Sequence, residues 1–280
     1  MSMTNTTTGA GLTTTAGAFT PEDFGNLVDL AVKERSIAAR SATVFSTNRD
    51  KVTFPVWEAD PDVAFYGELD SIAIEDAETG EVPVDIYKTA GLVLMSNELR
   101  DDSDPAVADL AGKGLSNKIG RAIDGAYLAD TTAKGPNGLL SISYTAVDTG
   151  ASLANLDPFI EARYASVANG SELTSWIVSP TTAEALSKLK VQDGSNQTLI
   201  QFVEDGITVA GLPVLVSDQV DAATLFWGIP SDHVKLVMRK GTTVERFPAV
   251  QQDGSYVRAV ARFGLGFLNE SGVVRGYDVA

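Results

Sequence analysis

The chain has 280 residues, a net charge of −16 at pH 7 and no cysteine, and 44% of its residues are hydrophobic. This length and composition suffice for a large buried core, which excludes wholesale disorder, and the lack of cysteine excludes disulfides and thiol chemistry. The acidic balance argues against sequence-wide affinity for nucleic acid. No apolar run is long enough to span a bilayer, and the N-terminal segment lacks the basic residues of a secretory signal. We therefore expect a cytosolic protein without membrane contact.

A capping residue followed by proline marks the predicted helix starts. Residues 1–20 contain eight Thr and three Gly, so we expect them to be flexible and order to begin at Pro21. A short polar side chain at the N-cap, with proline directly after it, is typical of a first helical turn. The pattern occurs four times: Thr20-Pro21, Asp104-Pro105, Asp157-Pro158 and Ser179-Pro180.

The next predicted element is a long acidic hairpin. VTFPVW (52–57) and EVPVDIY (81–87) are typical of strands, and their prolines suit edge positions. Between Lys51 and Lys88 the sequence has ten Asp and Glu and no Lys or Arg. A two-stranded ribbon is marginally stable in water unless it packs on something. We therefore expect this hairpin to have an external partner, preferably a basic one.

The longest helical pattern runs from Asp104 to about Asp130. Apolar residues recur at a three-and-four spacing, and the polar side carries Lys113, Lys118 and Arg121. Four glycines in this helix would each cost about 1 kcal/mol relative to Ala, so we expect close packing to require them. They are Gly112, Gly114, Gly120 and Gly125. The rest of the chain mixes predicted strands and helices, which indicates an α+β protein.

The residues for catalysis are sparse. His233 is the single histidine, and we interpret it as a polar residue at a strand start. Gly264 and Gly266 lack the third glycine of a nucleotide-binding loop, and the acidic clusters lack the spacing of a calcium loop. We expect no cofactor, no metal and no catalytic residue. A hydrolase with a carboxylate pair stays a remote alternative, because 37 acidic residues always permit some pair.

Several segments, taken in order, resemble the major capsid protein family of tailed bacteriophages, whose fold is shared with encapsulins. They include LVLMSNELRDDSDP (92–105), the helix DLAGKGLSNKIGRAIDGAYLAD (109–130), WIVSPTTAEALSKLK (176–190) and RAVARFGLGFLN (258–269). The resemblance implies an α+β tailed-phage major capsid fold. Its implied parts are an N-terminal arm (1–41, with 1–20 flexible), an extended β-hairpin loop (42–98), a peripheral domain with a long spine helix (99–145 and 236–265) and an axial domain (146–235 and 266–280).

The resemblance also implies a function. The chain would self-assemble into pentamers and hexamers that form the icosahedral shell around a double-stranded DNA genome. It would lie in the virion capsid after assembly in the host bacterial cytoplasm. The implied partners are other copies of the chain, a separate scaffold, portal and decoration proteins, and DNA by weak non-specific contact. An encapsulin-like nanocompartment shell is the alternative within the same fold.

In this family the extended loop lies across a neighbouring subunit. We therefore hypothesise that Glu68, Asp70, Glu75 and Asp76 pair with basic residues of a neighbour, with Lys113, Lys118 and Arg121 as candidates. The alternative is that these acids form a solvated outer face. Some members join a loop lysine covalently to an asparagine of another subunit. Because no lysine lies between Lys51 and Lys88, we expect no such cross-link. Some members carry a scaffolding domain before the arm, whereas here the predicted arm helix begins at Pro21, so we expect a separate scaffold or none.

Overall fold

The computed structural model describes residues 36–59, 65–67, 78–98, 106–150, 153, 155–190, 199–203, 206–239, 241–249, 251 and 253–279. The helices among them are α1 (Ile37–Ser41), α2 (Ala106–Leu128), α3 (Asp157–Ala168) and α4 (Pro180–Lys188). The strands among them are β1 (Thr43–Thr47), β2 (Lys51–Ala59), β3 (Glu78–Asp85), β4 (Tyr87–Ser96), β5 (Thr145–Asp148), β6 (Ser175–Val178), β7 (Gln201–Val203), β8 (Gly206–Val209), β9 (Leu212–Val216), β10 (Thr224–Ile229), β11 (Val234–Arg239), β12 (Thr243–Ala249), β13 (Gly254–Phe267) and β14 (Val274–Tyr277).

A five-stranded sheet is organised around the long strand β13. β4 runs antiparallel along one side of β13, and β11 and β12 follow one another along its other side. β1 continues the sheet by pairing parallel to β11. The helix α2 packs on one face of this sheet, where Ile119, Ile123 and Phe263 belong to one buried core.

A seven-stranded sheet has the order β5-β14-β10-β6-β9-β8-β7. Its two faces serve different cores, because successive residues of a strand point to opposite sides. Ile177 and Trp227 belong to the core that includes α2, whereas Trp176 and Phe226 belong to a second core with Phe159 of α3. The sheet therefore forms a wall common to both cores.

The buried arginine Arg275 on β14 ties this sheet to two flanking segments. The residue is 9% exposed, and Nε donates to Thr224 Oγ1 at 2.8 Å while Nη1 donates to the Tyr144 hydroxyl at 2.6 Å. Nη2 lies 3.4 Å from Asp221 Oδ2, and the guanidinium stands 4.5 Å from the ring centre of Tyr277. The cation is thus compensated by hydrogen bonds, one carboxylate and aromatic faces.

The two predicted helix starts that fall within the described residues differ in their capping. Ser179 Oγ accepts from Thr182 N at 3.1 Å, which confirms the predicted cap of α4. Asp157 is not the N-cap of α3, as the pattern suggested, but its first residue, and Leu156 precedes it as the cap. Asn155 holds Asp157 instead: its Oδ1 accepts from Asp157 N at 3.3 Å, and its Nδ2 donates to Asp157 Oδ2 at 2.5 Å. Thr20-Pro21 and Asp104-Pro105 lie outside the described residues, although α2 begins at Ala106.

The predicted hairpin is confirmed, with β2 and β3 paired antiparallel from Lys51 opposite Asp85 to Trp57 opposite Thr79. The two ends of segment 42–98, in contrast, do not belong to the hairpin. β1 and β4 are strands of the five-stranded sheet, so the hairpin proper projects between them. Within the ranges given above, no helix is long and apolar enough to cross a membrane.

Candidate assembly surfaces

The base of the hairpin rests on the five-stranded sheet at two glycines. Val84 on β3 is 1% exposed, and a Cβ placed on Gly266 would stand 2.5 Å from its Cγ2 atom. A Cβ on Gly264 would collide with the carbonyl oxygen of Asp85. These glycines therefore admit the hairpin to the face of the sheet opposite α2. From the sequence alone, Gly264 and Gly266 were interpreted only as an incomplete nucleotide-binding motif.

Charge and aromatic contacts surround this base. Lys51 Nζ lies 3.3 Å from Asp85 Oδ1, and Arg239 pairs with Asp50 at the start of the hairpin. The rings of Phe45 and Phe54 meet edge to face with centroids 5.4 Å apart. Exposed ion pairs contribute little individually, so the close packing on the glycines is what fixes where the hairpin begins.

Beyond its base the hairpin exposes aromatic side chains. Trp57 is 67% exposed and Phe65 is fully exposed. Glu68, Asp70, Glu75 and Asp76, the acids expected to contact a neighbour, lie outside the described residues. Glu81 on β3 is exposed. The part of the hairpin beyond its base, which we call the hairpin arm, thus combines exposed aromatic side chains with an acidic sequence.

The helix α2 carries the three cations predicted to receive those acids. Lys113, Lys118 and Arg121 are all exposed, but Arg121 Nη2 already lies 2.5 Å from Asp218 Oδ2 of the same chain. Packing within the described subunit does not require three of the four helix glycines. A Cβ on Gly112, Gly114 or Gly120 would meet nothing within 4 Å; one on Gly125 would meet Gln219 Oε1 at 3.4 Å.

The other end of α2 anchors α1. Asp124 Oδ1 accepts from Ser36 Oγ at 2.6 Å and from Ala38 N at 3.0 Å, and the Tyr127 hydroxyl lies 3.3 Å from Ser41 Oγ. Burial raises the pKa of Asp124 above its ordinary value, and the bonds from Ser36 and the α1 backbone oppose that rise. Burial likewise raises the pKa of Tyr127. This contact holds the segment just before β1 against α2.

Part of the five-stranded sheet has no cover among the residues that the structure describes. We define its outer face by nine of the side chains that share the face of Gly264 and Gly266 but lie beyond the hairpin base: Lys88, Ala90, Leu92, Leu94, Glu245, Phe247, Tyr256, Arg258 and Arg262. Leu92 is 60% exposed, Leu94 45% and Phe247 41%. The Arg258 guanidinium stands 4.8 Å from the centre of the Phe247 ring and pairs with Glu245.

The outer face is positively charged, whereas the chain as a whole is negatively charged. Its ionised groups are three cations and one carboxylate, in a protein with a net charge of −16. Lys88 stands directly opposite Arg262 on the neighbouring strand. Sequence reasoning missed this face, because the alternation in KTAGLVLMS (88–96) groups the β4 residues but only the pairing register places Arg258 and Arg262 beside them.

Comparison with known proteins decides the family. The model of the phage capsid family matches residues 16–277. The chain belongs to the phage capsid family. No curated protein matches the sequence.

Solved structures of capsids share the fold. One described as "Capsid of empty GTA particle computed with C5 symmetry" has a TM-score of 0.73 at 18% identity, over 86% of this chain and 89% of that one. Mycobacterium phage Adephagia gives a TM-score of 0.72 at 14% identity, over 88% and 90% of the two chains. The native GTA particle capsid gives 0.69 at 20% identity, over 88% and 91%. The fold is thus the predicted α+β phage capsid fold.

Membership of the phage capsid family makes the chain a structural shell protein and not an enzyme, as predicted. Among the described residues, no three acidic or histidine side chains form a group that could hold a metal ion. His233 lies in the turn before β11, where its carbonyl accepts from Leu268 N at 2.8 Å. The surfaces that matter in such a protein are therefore those that meet other copies.

Proposed function

We propose that this capsid protein is the major capsid protein of a tailed phage. Its copies form pentamers and hexamers, which close into an icosahedral shell around double-stranded DNA. One observation carries the proposal beyond the family: the hairpin has a firmly packed base and an arm whose exposed Trp57 and Phe65 find no cover in the described part of their own subunit. A second copy supplies that cover.

We assign one of the two sheets to each of the two expected domains. The five-stranded sheet with α2 as its spine forms the peripheral domain, and the seven-stranded sheet with α3 and α4 forms the axial domain. The chain before β1 is the N-terminal arm, tied to the spine through Asp124. The hairpin of β2 and β3 is the extended loop.

The loop acids Glu68, Asp70, Glu75 and Asp76 contact cations of a neighbouring copy. The spine helix is one source of such cations, in particular Lys113 and Lys118, since Arg121 is paired within its own chain. Exposed pairs contribute about 0.2–1 kcal/mol each, so the acidic loop sets register and makes assembly sensitive to salt.

The shell assembles in the cytoplasm of a host bacterium, with the help of further proteins. A separate scaffold, a portal and decoration proteins act on the shell from outside this chain. The acidic balance suits a wall that touches packaged DNA weakly and without sequence preference.

The test is negative-stain electron microscopy of the purified chain at low and at high salt. Closed particles or rings that dissociate in high salt are the expected result. If the chain stayed monomeric even with a plausible scaffold supplied, the proposal would fall. Particles that enclose a protein cargo and no DNA during expression of the native operon would identify the encapsulin-like alternative.

A further inference from the structure

A cleft opens beside the base of the hairpin, where three segments of the chain meet. Its walls come from the hairpin base (82–87), the turn after α2 (136–142) and the end of β13 with the residues that follow it (265–270). Its volume is about 290 Å³, at the lower end of the range of about 300–1,000 Å³ that small-molecule pockets occupy. A helix is too wide for such a space, whereas a small organic molecule fits it.

The walls of the cleft are largely apolar and partly aromatic. Pro83 and Tyr87 line the side of the hairpin, Pro136 and Ile142 line the side of the turn, and Phe267 lies at the end of β13. Methylene groups gain free energy when they leave water for such walls, and the face of an aromatic ring attracts a cation. The cleft therefore suits an aliphatic chain that carries positive charge.

The charged groups of the lining are two carboxylates on different walls. Asp85 belongs to β3 and Glu270 follows β13, and no Lys or Arg is among the described residues that line the cleft. Glu270 Oε2 accepts from Ser143 N at 2.9 Å, which positions this carboxylate and leaves it capacity for further bonds. Asp85 Oδ1 lies 3.3 Å from Lys51 Nζ, so its charge is partly compensated within the chain. Glu270 is therefore the stronger partner for a bound cation.

We propose that this cleft binds a small aliphatic diamine or polyamine. One ammonium group pairs with Glu270 and another with Asp85, while the methylene chain between them lies against the prolines and the aromatic rings. The proposal goes beyond the shell function, because it assigns the subunit a small-molecule ligand. Since segment 82–87 forms one wall, the bound amine joins the hairpin base to the body of the subunit.

A metal ion is a poorer match for the same cleft. Calcium takes six to eight oxygen ligands, and magnesium keeps several water molecules. The lining offers two carboxylates among apolar side chains, and no group of three acidic or histidine side chains in the described part of the chain could hold a metal ion. The apolar walls have a use for methylene groups and none for a hydrated ion.

Calorimetric titration of the full chain with the diamine cadaverine, below the protein concentration at which it assembles, tests the charge recognition. We expect one cadaverine per chain, with pentylamine bound more weakly and pentanol more weakly still. Glu270→Gln should weaken cadaverine binding roughly ten-fold and Asp85→Asn less. The matched control is Glu184→Gln, which removes the same charge at an exposed position on α4 and should leave the affinity unchanged.

Filling the cleft tests the location. Asn137 lines the cleft and is exposed, so Asn137→Trp places a large side chain there without disturbing the core. The control is Asn117→Trp, at an exposed position on α2. We expect the first variant to lose cadaverine binding and the second to keep it, with circular dichroism verifying that both fold. In the wild-type chain, cadaverine should slow amide hydrogen exchange of segment 82–87 several-fold.

The outcomes that overturn the proposal are distinct. Equal cadaverine affinity of the wild type and Glu270→Gln, or full binding by Asn137→Trp, would show only the general attraction of cations to an acidic protein. Pentanol binding as tightly as cadaverine would show an apolar cleft without charge recognition. Because the titrations use unassembled chains, they decide the proposal whether or not the chain forms shells, and electron microscopy decides the shell function separately.

Discussion

Val84 of the hairpin lies against Gly266 of the sheet so closely that a methyl group on the glycine would stand 2.5 Å from Val84 Cγ2. The contact joins the start of the projecting arm to the body of the subunit. The close approach of the hairpin base to the sheet therefore depends on two glycines of β13, Gly264 and Gly266.

Gly266→Ala should destabilise the subunit by about 1–3 kcal/mol, the usual cost of overpacking. Val84→Ala should relieve the collision, because the atom that the new methyl meets is a side-chain carbon. We expect the double variant to be more stable than the sum of the two single changes predicts. The free energy of unfolding of the unassembled subunit, from urea titration, measures this coupling.

Gly264→Ala provides the contrasting case. The new methyl group there meets Val84 Cγ1 at 2.9 Å but, more closely, the carbonyl oxygen of Asp85, which no side-chain change removes. Val84→Ala should therefore fail to restore the stability or the assembly of this variant. Rescue of Gly264→Ala to the same extent as Gly266→Ala would show that the arm base tolerates movement of its backbone.

Asp124 should lower the free energy of unfolding of the subunit as pH rises, which is the opposite of the effect of an ion-paired carboxylate. Because its folded pKa is raised, the unfolded chain releases the proton first as pH increases. Its contribution to stability therefore falls between the ordinary aspartate pKa and the higher folded pKa. Asp124→Asn keeps an oxygen acceptor for Ser36 and Ala38 without the charge, so its stability relative to wild type should increase across that window.

Asp124→Ala distinguishes charge from hydrogen bonding. It leaves the Ser36 hydroxyl and the Ala38 N–H without their acceptor, which should cost about 1–3 kcal/mol at every pH. Urea midpoints measured from acid to neutral pH check both variants. A wild-type midpoint that rises through this pH window in step with Asp124→Asn would show that the carboxylate is not penalised by burial.

Arg275→Met should destabilise the subunit by about 1–3 kcal/mol, because it removes the partners of Thr224, Tyr144 and Asp221 while keeping the apolar stem. The control is Lys188→Met, which breaks an exposed pair with Glu184 on α4. The control should leave the urea midpoint unchanged. Equal behaviour of the two variants would mean that the Arg275 contacts add nothing beyond surface charge.

Assembled shells should dissociate into single chains on a boiled denaturing gel. The segment that forms the arm has no lysine between Lys51 and Lys88, so the amine needed for an isopeptide bond at its tip is missing. A ladder of covalent multimers that persists after boiling would contradict this prediction, and mass spectrometry of the bands would identify the residues joined.

Local patterns were sufficient for most elements of the fold. Alternation and edge prolines predicted the hairpin, and three-and-four spacing predicted α2, because each signal is contained within one element. The N-cap of α3 was misplaced by one residue: Leu156 occupies that position, and the side chain that accepts from Asp157 N is that of Asn155.

The candidate interface was less predictable because its parts are distant in sequence. The acidic arm is visible as a continuous stretch, but Lys88 and Arg262 become neighbours only through the strand register. The same holds for Gly264 and Gly266, whose purpose depends on Val84, far away along the chain. The cations of α2 were chosen as candidate partners because they follow the hairpin closely in the sequence. Closeness in sequence does not predict which surfaces of two different copies meet.

The seven-stranded sheet serves as a wall between two cores, with Ile177 and Trp227 facing one and Trp176 and Phe226 the other. The five-stranded sheet thus has no complete hydrophobic interior of its own, because the core that it forms with α2 includes Ile177 and Trp227 of the seven-stranded sheet. A fragment cut between them would leave large apolar side chains in water, so the halves cannot be expressed as separate soluble modules. Heating should melt both sheets in one cooperative transition, which makes the subunit an all-or-none building block.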